Sequence, residues 1–279
     1  MVQSLTSLVH DCEISGSSFL RGSRGILKSR SSGVAKEPLE KLRALSEKFH
    51  LLKPPIELLY PTYCGGCRGQ GEVLCRTCLD AFVLIDDETS CPTCGRSVGK
   101  SIVCGACVTT PKQFERGYFG FSFEGPLREA LHAFKFQGRK DVGRAVVRTL
   151  EEKILKFGGS FDIIVPLPVT EKRLWKRGFN QSFIIAEEIS RTTGKPIDYS
   201  SLRKTRETRD QYLLSREERK KNVAKAFGLK GGAAHLSGKR LLLVDDLFTT
   251  GSTASEAAKT LKRAKPESVI LFALARTPS

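Results

Sequence analysis

Leu241-Leu-Leu-Val-Asp-Asp-Leu-Phe-Thr-Thr-Gly-Ser-Thr253 is the most informative stretch of this chain. Its aliphatic run, with Arg240 in front, reads as a buried strand over Arg240 to Val244. That strand delivers two carboxylates, Asp245 and Asp246, to its carboxyl end, where open α/β sheets bind ligands. The residues after the doublet suit a phosphorylated sugar. Thr249, Thr250, Ser252 and Thr253 offer hydroxyl donors, Gly251 lets backbone amides close on an anion, and a helix from Ser252 to Lys262 presents its positive end. The adjacent carboxylates are suited to accept hydrogen bonds from ribose hydroxyls. The alternative is an ordinary strand-to-helix turn with an incidental acidic doublet.

Outward from this stretch the grammar alternates. Ser268 to Ala275 reads as a last strand, and Phe161 to Val165 as a buried strand ending at Pro166-Leu167-Pro168. Phe179, Phe183, Ala186 and Ile189 fit one face of a helix. Further upstream, Phe119, Phe121 and Phe123 alternate with Gly and Ser as in a half-buried strand. Gly125-Pro126 then opens a helix whose apolar positions include Leu127, Leu131 and Phe134. Strands alternating with helices predict an α/β fold with a mainly parallel, doubly wound sheet.

Before Tyr118 the chain is different. Eight of its nine cysteines form four Cys-x-x-Cys pairs, Cys64/Cys67, Cys75/Cys78, Cys91/Cys94 and Cys104/Cys107, separated by 7, 12 and 9 residues. A tight turn brings both sulfurs of a pair to one ion, so two pairs complete a tetrahedral shell. The segment is rich in Gly and poor in large apolar side chains, so metal has to supply its core. The pattern predicts two structural Zn2+ ions in a reducing compartment rather than a secreted disulfide framework or a redox motif. Four pairs fill two sites in three ways; sequential sharing is favoured, because each short segment then reads as two knuckles of one ribbon. Cys12 stands apart and reads as an incidental free thiol.

The chain has 279 residues and 40% hydrophobic content, enough for an ordinary core. No apolar run approaches the ~20 residues that span a bilayer. The 46 Lys+Arg against 30 Asp+Glu give +16, which favours phosphate-rich partners. Residues 171–230 hold 16 basic and 8 acidic side chains, so +8 of the excess sits in that segment. Two tetrathiolate zinc sites, each 2 − 4 = −2, would lower the total to about +12. Ile14 to Lys36 has no acidic residue, five Lys/Arg and seven Ser. That composition suits either a disordered basic tail or an organellar transit segment. Leu39, Leu42, Leu45 and Phe49 are spaced for a short helix closed by Pro54-Pro55. The expected organisation is a basic tail with a short helix over 1–55, a zinc module over 56–112 and an α/β domain over 113–279.

Taken in order, several strings resemble the ComF (GntX-like) family of bacterial competence proteins. They are the paired cysteines, Phe123-Glu-Gly-Pro-Leu127 with Lys135 downstream, Val165-Pro-Leu-Pro168, Arg177-Gly-Phe-Asn-Gln181, Ser215-Arg-Glu-Glu-Arg-Lys-Lys-Asn222 and Val244 to Thr253. The resemblance covers roughly residues 56–277. It implies a type I phosphoribosyltransferase-like fold, a mainly parallel sheet with helices on both faces, preceded by a small double zinc ribbon. It also implies a site for 5-phosphoribosyl-1-pyrophosphate, with Asp245 and Asp246 on the ribose, Thr249 to Thr253 on the 5′-phosphate, and Pro166, Leu167 and Pro168 beside the pyrophosphate. The family usually starts close to its first cysteine pair, whereas this chain adds some fifty residues. A cytoplasmic location is therefore set beside a plastid or mitochondrial one.

On that frame Lys172, Arg173, Lys176 and Arg177 are expected to converge on the pyrophosphate, with Lys135 also at the substrate. Arg203 to Arg209 reads as a polar lid, with Lys204 and Arg206 touching the leaving group. Departing pyrophosphate is to be neutralised by Mg2+ and these cations. His132 and His235 are given no role. The acceptor base in this fold is normally recognised by a hood, a part only the zinc module is placed to play. Two functions remain open with a third beside them: phosphoribosyl transfer to an unknown acceptor, such as a nucleotide or base, a module for handling single-stranded DNA without turnover, and a sensor that binds the pyrophosphate.

Overall fold

Leu241, Leu242, Leu243 and Val244 are all fully buried in strand β5 (Arg240–Phe248). In a computed structural model, which describes residues 61–206, 224–231 and 233–278, that strand runs inside a four-stranded parallel sheet. The order is β1 (Gly117–Ser122), β6 (Ser268–Arg276), β5, β2 (Ile163–Pro166). The tail and helix expected over 1–55, and the Ser215–Asn222 run, lie outside the described residues.

Side chains alternate between the two faces of the sheet, as a period of two requires. Leu242, Val244, Ile270 and Phe272 pack on one side with Leu127, Phe134, Val146, Ile154 and Ile185. These come from helices α3 (Gly125–Phe136), α4 (Lys140–Arg148), α5 (Glu151–Phe157) and α7 (Gln181–Thr193). Leu241, Leu243, Val269 and Leu271 pack on the other side with Ala254, Ala257 and Leu261 of helix α8 (Ser252–Leu261). A two-stranded antiparallel ribbon, β3 (Leu202–Lys204) and β4 (Phe227–Leu229), adds Leu202 and Phe227 to that second core. Each fully buried aliphatic side chain contributes about 1.5–3 kcal/mol, so the sheet is fixed by burial on both faces.

Three stretches depart from the sequence reading. β5 does not stop at Val244 but continues through Asp245 and Asp246 to Phe248. Its neighbour β6 is equally long and pairs up to Phe248 opposite Arg276, whereas β2 ends with Pro166 opposite Val244. Beyond Val244, therefore, β5 keeps a β-neighbour on one side only, and the other side opens. β1, expected half-buried, has the intervening Gly120 buried as well as Phe119 and Phe121. The reason is that residues 83–85 run along it, with Ile85 N donating to Gly120 O (2.9 Å) and Ser122 N to Val83 O (2.8 Å). The cysteine-rich segment thereby covers an edge strand that would otherwise stay open. Finally, Arg203 and Lys204, read as the start of a lid, lie in strand β3; residues 207–209 lie outside the described residues.

Candidate functional site

The turn after β5 owes its shape to Gly251, at φ 72°, which caps the start of α8. A side chain there would be strained by its backbone angle, and its Cβ would sit 2.5 Å from Phe248 Cζ. Thr250 Oγ1 lies 2.9 Å from Ser252 Oγ and accepts from the Ser252 amide at 3.4 Å. The Thr250 carbonyl accepts from Lys112 Nζ at 2.8 Å, and the Gln113 amide donates to Ser255 Oγ at 3.1 Å. The segment just after the last cysteine pair thus holds the turn and the first turn of α8 from outside. The result is a helix N-terminus with clustered hydroxyls, suited to an anion.

The two carboxylates differ in their surroundings. Lys135 Nζ, from the last turn of α3, sits 2.8 Å from Asp246 Oδ2. Asp245 accepts from the Asp246 amide at 2.9 Å. Burial, and then the charge of Asp246 beside it, push Asp245 up to about 7, against the pull of Lys135 and Lys204. One carboxylate is paired with a lysine, while burial disfavours the charge on its neighbour.

A cleft of about 1290 Å³ opens over this doublet. Of the substrate residues expected from sequence, Asp245, Asp246, Thr249, Thr253, Leu167 and Pro168 line it. So do the basic residues Lys135, Arg173, Lys176, Arg177 and Lys204. Thr250, Gly251 and Ser252 shape the turn from behind. Pro166 pairs with Val244 inside the sheet. Lys172 is exposed on helix α6 (Glu171–Arg177), outside the lining. Arg206 also lies outside the lining, with Nη2 donating to Ala224 O at 2.9 Å.

The cysteines fall into two groups, Cys64/Cys67/Cys75/Cys78 and Cys91/Cys94/Cys104/Cys107, each with its sulfurs within 4.8 Å of one another. Sequential sharing is what the chain adopts. Cys67 and Cys75 sulfurs are 3.7 Å apart, and those of Cys94 and Cys104 are 3.6 Å apart. A tetrahedron with Zn–S of about 2.3 Å has an S–S edge of about 3.8 Å, so the donor sets fit a tetrathiolate zinc site. Backbone amides support the charge: Cys75 and Gly66 donate to Cys64 Sγ at 3.3 and 3.4 Å, and Cys104 donates to Cys91 Sγ at 3.3 Å. Burial opposes ionisation of both thiols, yet these and neighbouring amides bring Cys64 to about 6 and Cys91 to about 7.

Comparison with known proteins agrees with both halves. The double zinc ribbon domain family matches residues 56–108, and the phosphoribosyl transferase domain family matches residues 180–279. The DNA utilization protein YhgH of Escherichia coli is 34% identical over 197 residues, covering 68% of this chain and 86% of its own length. This chain belongs to the ComF family. Competence protein F of Haemophilus influenzae, at 27% identity, covers 76% of this chain and 96% of itself; competence protein ComFC of Bacillus subtilis, also at 27%, covers 74% and 85%. These relatives are bacterial and lend no support to a plastid or mitochondrial location. Among the described residues no helix is long and apolar enough to cross a membrane.

In this ComF-family chain the cleft also gathers residues that sequence reasoning missed. Arg68, from the turn of the first cysteine group, lines it, as do Arg128, Glu129, His132 and Phe136 of α3. The helical residues were legible in principle: Arg128, His132 and Phe136 recur every four positions, on a face other than that of Leu127, Leu131 and Phe134. Lys112 was not, since it meets Thr250 across 138 residues of sequence with no local signal. His235 stands outside the cleft lining, with Nε2 3.0 Å from Asp198 Oδ2.

Proposed function

We propose that this chain binds 5-phosphoribosyl-1-pyrophosphate and transfers its phosphoribosyl group to an acceptor. One observation carries the reading: the carboxylate doublet, the hydroxyl-rich turn at a helix N-terminus and a row of cations all face one cleft. The turn from Thr249 to Thr253 holds the 5′-phosphate with amides and hydroxyls. Asp246, paired with Lys135, and Asp245 accept hydrogen bonds from the ribose hydroxyls. Arg173, Arg177 and Lys204 face the pyrophosphate, with Lys172 and Arg206 at the margin.

In the reaction the bond from C1 of the ribose to the pyrophosphate oxygen breaks, and the electron pair leaves with pyrophosphate. A new bond forms between C1 and the acceptor atom, whose proton passes to solvent. The cations stabilise charge growing on the leaving group, which is worth most in a cleft shielded from water. Mg2+ usually keeps few protein ligands and binds through substrate phosphates. That fits a cleft whose Asp246 is already engaged by Lys135; bound with the substrate, the ion would neutralise pyrophosphate charge.

A second reading has its own support: Trp175 on α6 is 88% exposed between Lys172, Arg173, Lys176 and Arg177, a pattern suited to stacking and phosphate contact with single-stranded DNA. The relatives' names, DNA utilization and competence, point the same way. Release of pyrophosphate from the substrate, compared between wild type and an Asp245→Asn/Asp246→Asn double variant, separates the two. Turnover that disappears in the variant supports transfer. No turnover in either, with salt-sensitive DNA binding that survives the substitutions, supports the binding module.

A further inference from the structure

The wall of the cleft contributed by α3 carries features that a phosphorylated sugar does not use. Lys135 reaches down to Asp246, while the next residue, Phe136, displays its ring to the cleft and is 61% exposed. His132, one helical turn earlier, lies with its ring centroid 4.9 Å from that of Phe136. Arg177, from the opposite wall, stands over the Phe136 ring with Cζ 5.3 Å from its centroid, and its Nη1 donates to Gln181 Oε1 at 3.1 Å. An aromatic shelf with a guanidinium over one part of its face is therefore built one residue away from the lysine paired with Asp246.

The charges around it are mainly positive. Arg128 lies one turn before His132 on the same helix face, and Arg68 reaches the cleft from the first cysteine turn; among the described residues Glu129 is the one carboxylate of the lining besides the Asp doublet. Arg173, Lys176 and Lys204 follow or face the Pro166 to Val169 turn and are accounted for by pyrophosphate. Arg68 and Arg128 are on the other wall, with the shelf, and have no such assignment. Eight residues of helix separate Arg128 from Phe136, about 12 Å along the axis. A ring resting on His132 and Phe136 thus places a substituent within reach of Arg128.

We infer that this shelf is the acceptor subsite and that it takes a planar aromatic ring bearing an anionic group. The inference rests on the phosphoribosyl-transfer reading and adds to it the chemical class of the acceptor. Stacking on Phe136 supplies the ring's binding energy, and Arg68 and Arg128 select the charge. Such an acceptor would lie beside C1 while the phosphate turn and pyrophosphate cations hold the donor. The negative group is either a carboxylate on the ring or a phosphate attached to it.

Matched probes test this by ligand-observed NMR on the zinc-loaded full chain saturated with 5-phosphoribosyl-1-pyrophosphate. Benzoate is compared with benzamide, which lacks the charge, and with cyclohexanecarboxylate, which lacks the aromatic ring; AMP against adenosine provides the phosphate arm. The expected result is binding of benzoate or AMP at least about tenfold tighter than their uncharged or non-aromatic counterparts. Phe136→Ala should abolish that preference, Phe136→Tyr should retain it, and Arg128→Gln should remove the charge selection alone. Equal binding of all probes, or a preference untouched by Phe136→Ala, would overturn the inference. Capture of a twelve-nucleotide oligothymidylate that is lost in Phe136→Ala, with benzoate and AMP both silent, would also overturn it and give the shelf to nucleic acid. The parent reading fails separately, by absence of donor binding before any probe is added.

Discussion

The two cysteine groups share a donor set of two Cys-x-x-Cys pairs, but they occupy different environments. In the second, Cys91, Cys94, Cys104 and Cys107 are all buried and pack in the same core as Phe119, Phe248 and the alanine face of α8. Gly95 lies where a Cβ would meet Phe119 Cδ2 at 2.5 Å, and Arg276 Nε, from the end of β6, donates to Cys94 O at 2.6 Å. In the first, Cys67 is exposed and Cys75 half-buried, and the group lies at the rim of the cleft through Arg68. The same metal chemistry can therefore be a structural part of a domain core in one place and a peripheral clip in another. The second group lies just before Lys112 and Gln113, which brace the turn after β5 and the start of α8.

The largest effect expected from this difference is on stability. Cys104→Ser should lower the melting temperature by about 10 °C or more, corresponding to roughly 4 kcal/mol, because a core shared with β1 and β5 loses its metal. Cys67→Ser should cost less than half as much, and a chelator should remove the first zinc before the second. Calorimetry with a zinc-release assay reads both; equal effects would break the comparison.

A smaller effect, of opposite sign, is expected at the doublet. Asp245 is raised to about 7 in the folded chain, against about 3.9 when unfolded. Its contribution is complete below about pH 4 and is lost as pH rises through about 7, because the folded form then gives up a proton it bound more tightly. Asp245→Asn, which cannot ionise, should be more stable than wild type at pH 7.5, with the difference closing below pH 4. Thermal melts across this range check it. A destabilised variant at pH 7.5 would mean the carboxylate is not under the strain its burial implies.

Lys112→Met tests the brace itself. Removing the bond to Thr250 O should weaken donor binding by about tenfold and speed amide exchange in Thr250 to Thr253, with zinc content unchanged and partial rescue by Lys112→Arg. Normal affinity would leave the second cysteine group without influence on the turn.

Legibility in the sequence followed the range of the physics involved. The parallel sheet was readable because Leu241 to Val244 and Val269 to Ala273 are continuous apolar runs. The zinc ligands were readable because a Cys-x-x-Cys turn is a local device. The length of β5 was not, since it is set by pairing with β6, and neither was the burial of β1, which depends on residues 83–85 docking from another part of the chain. Within the site, the turn and doublet were local and legible. The Lys135–Asp246 pair was anticipated only as substrate contact at both ends, and the Lys112 brace and the place of Arg68 depend on how the cysteine-rich segment packs.

The central claim is that the turn from Thr249 to Thr253, with Asp245 and Asp246, cradles a phosphorylated sugar. Calorimetric titration of the folded, zinc-loaded chain with 5-phosphoribosyl-1-pyrophosphate, with and without Mg2+, tests it most directly. A single saturable site, tighter with Mg2+ and lost in Asp245→Asn/Asp246→Asn, is the predicted result. A titration with no heat and no displacement of a reporter ligand, from protein shown to hold both zinc ions, would contradict it.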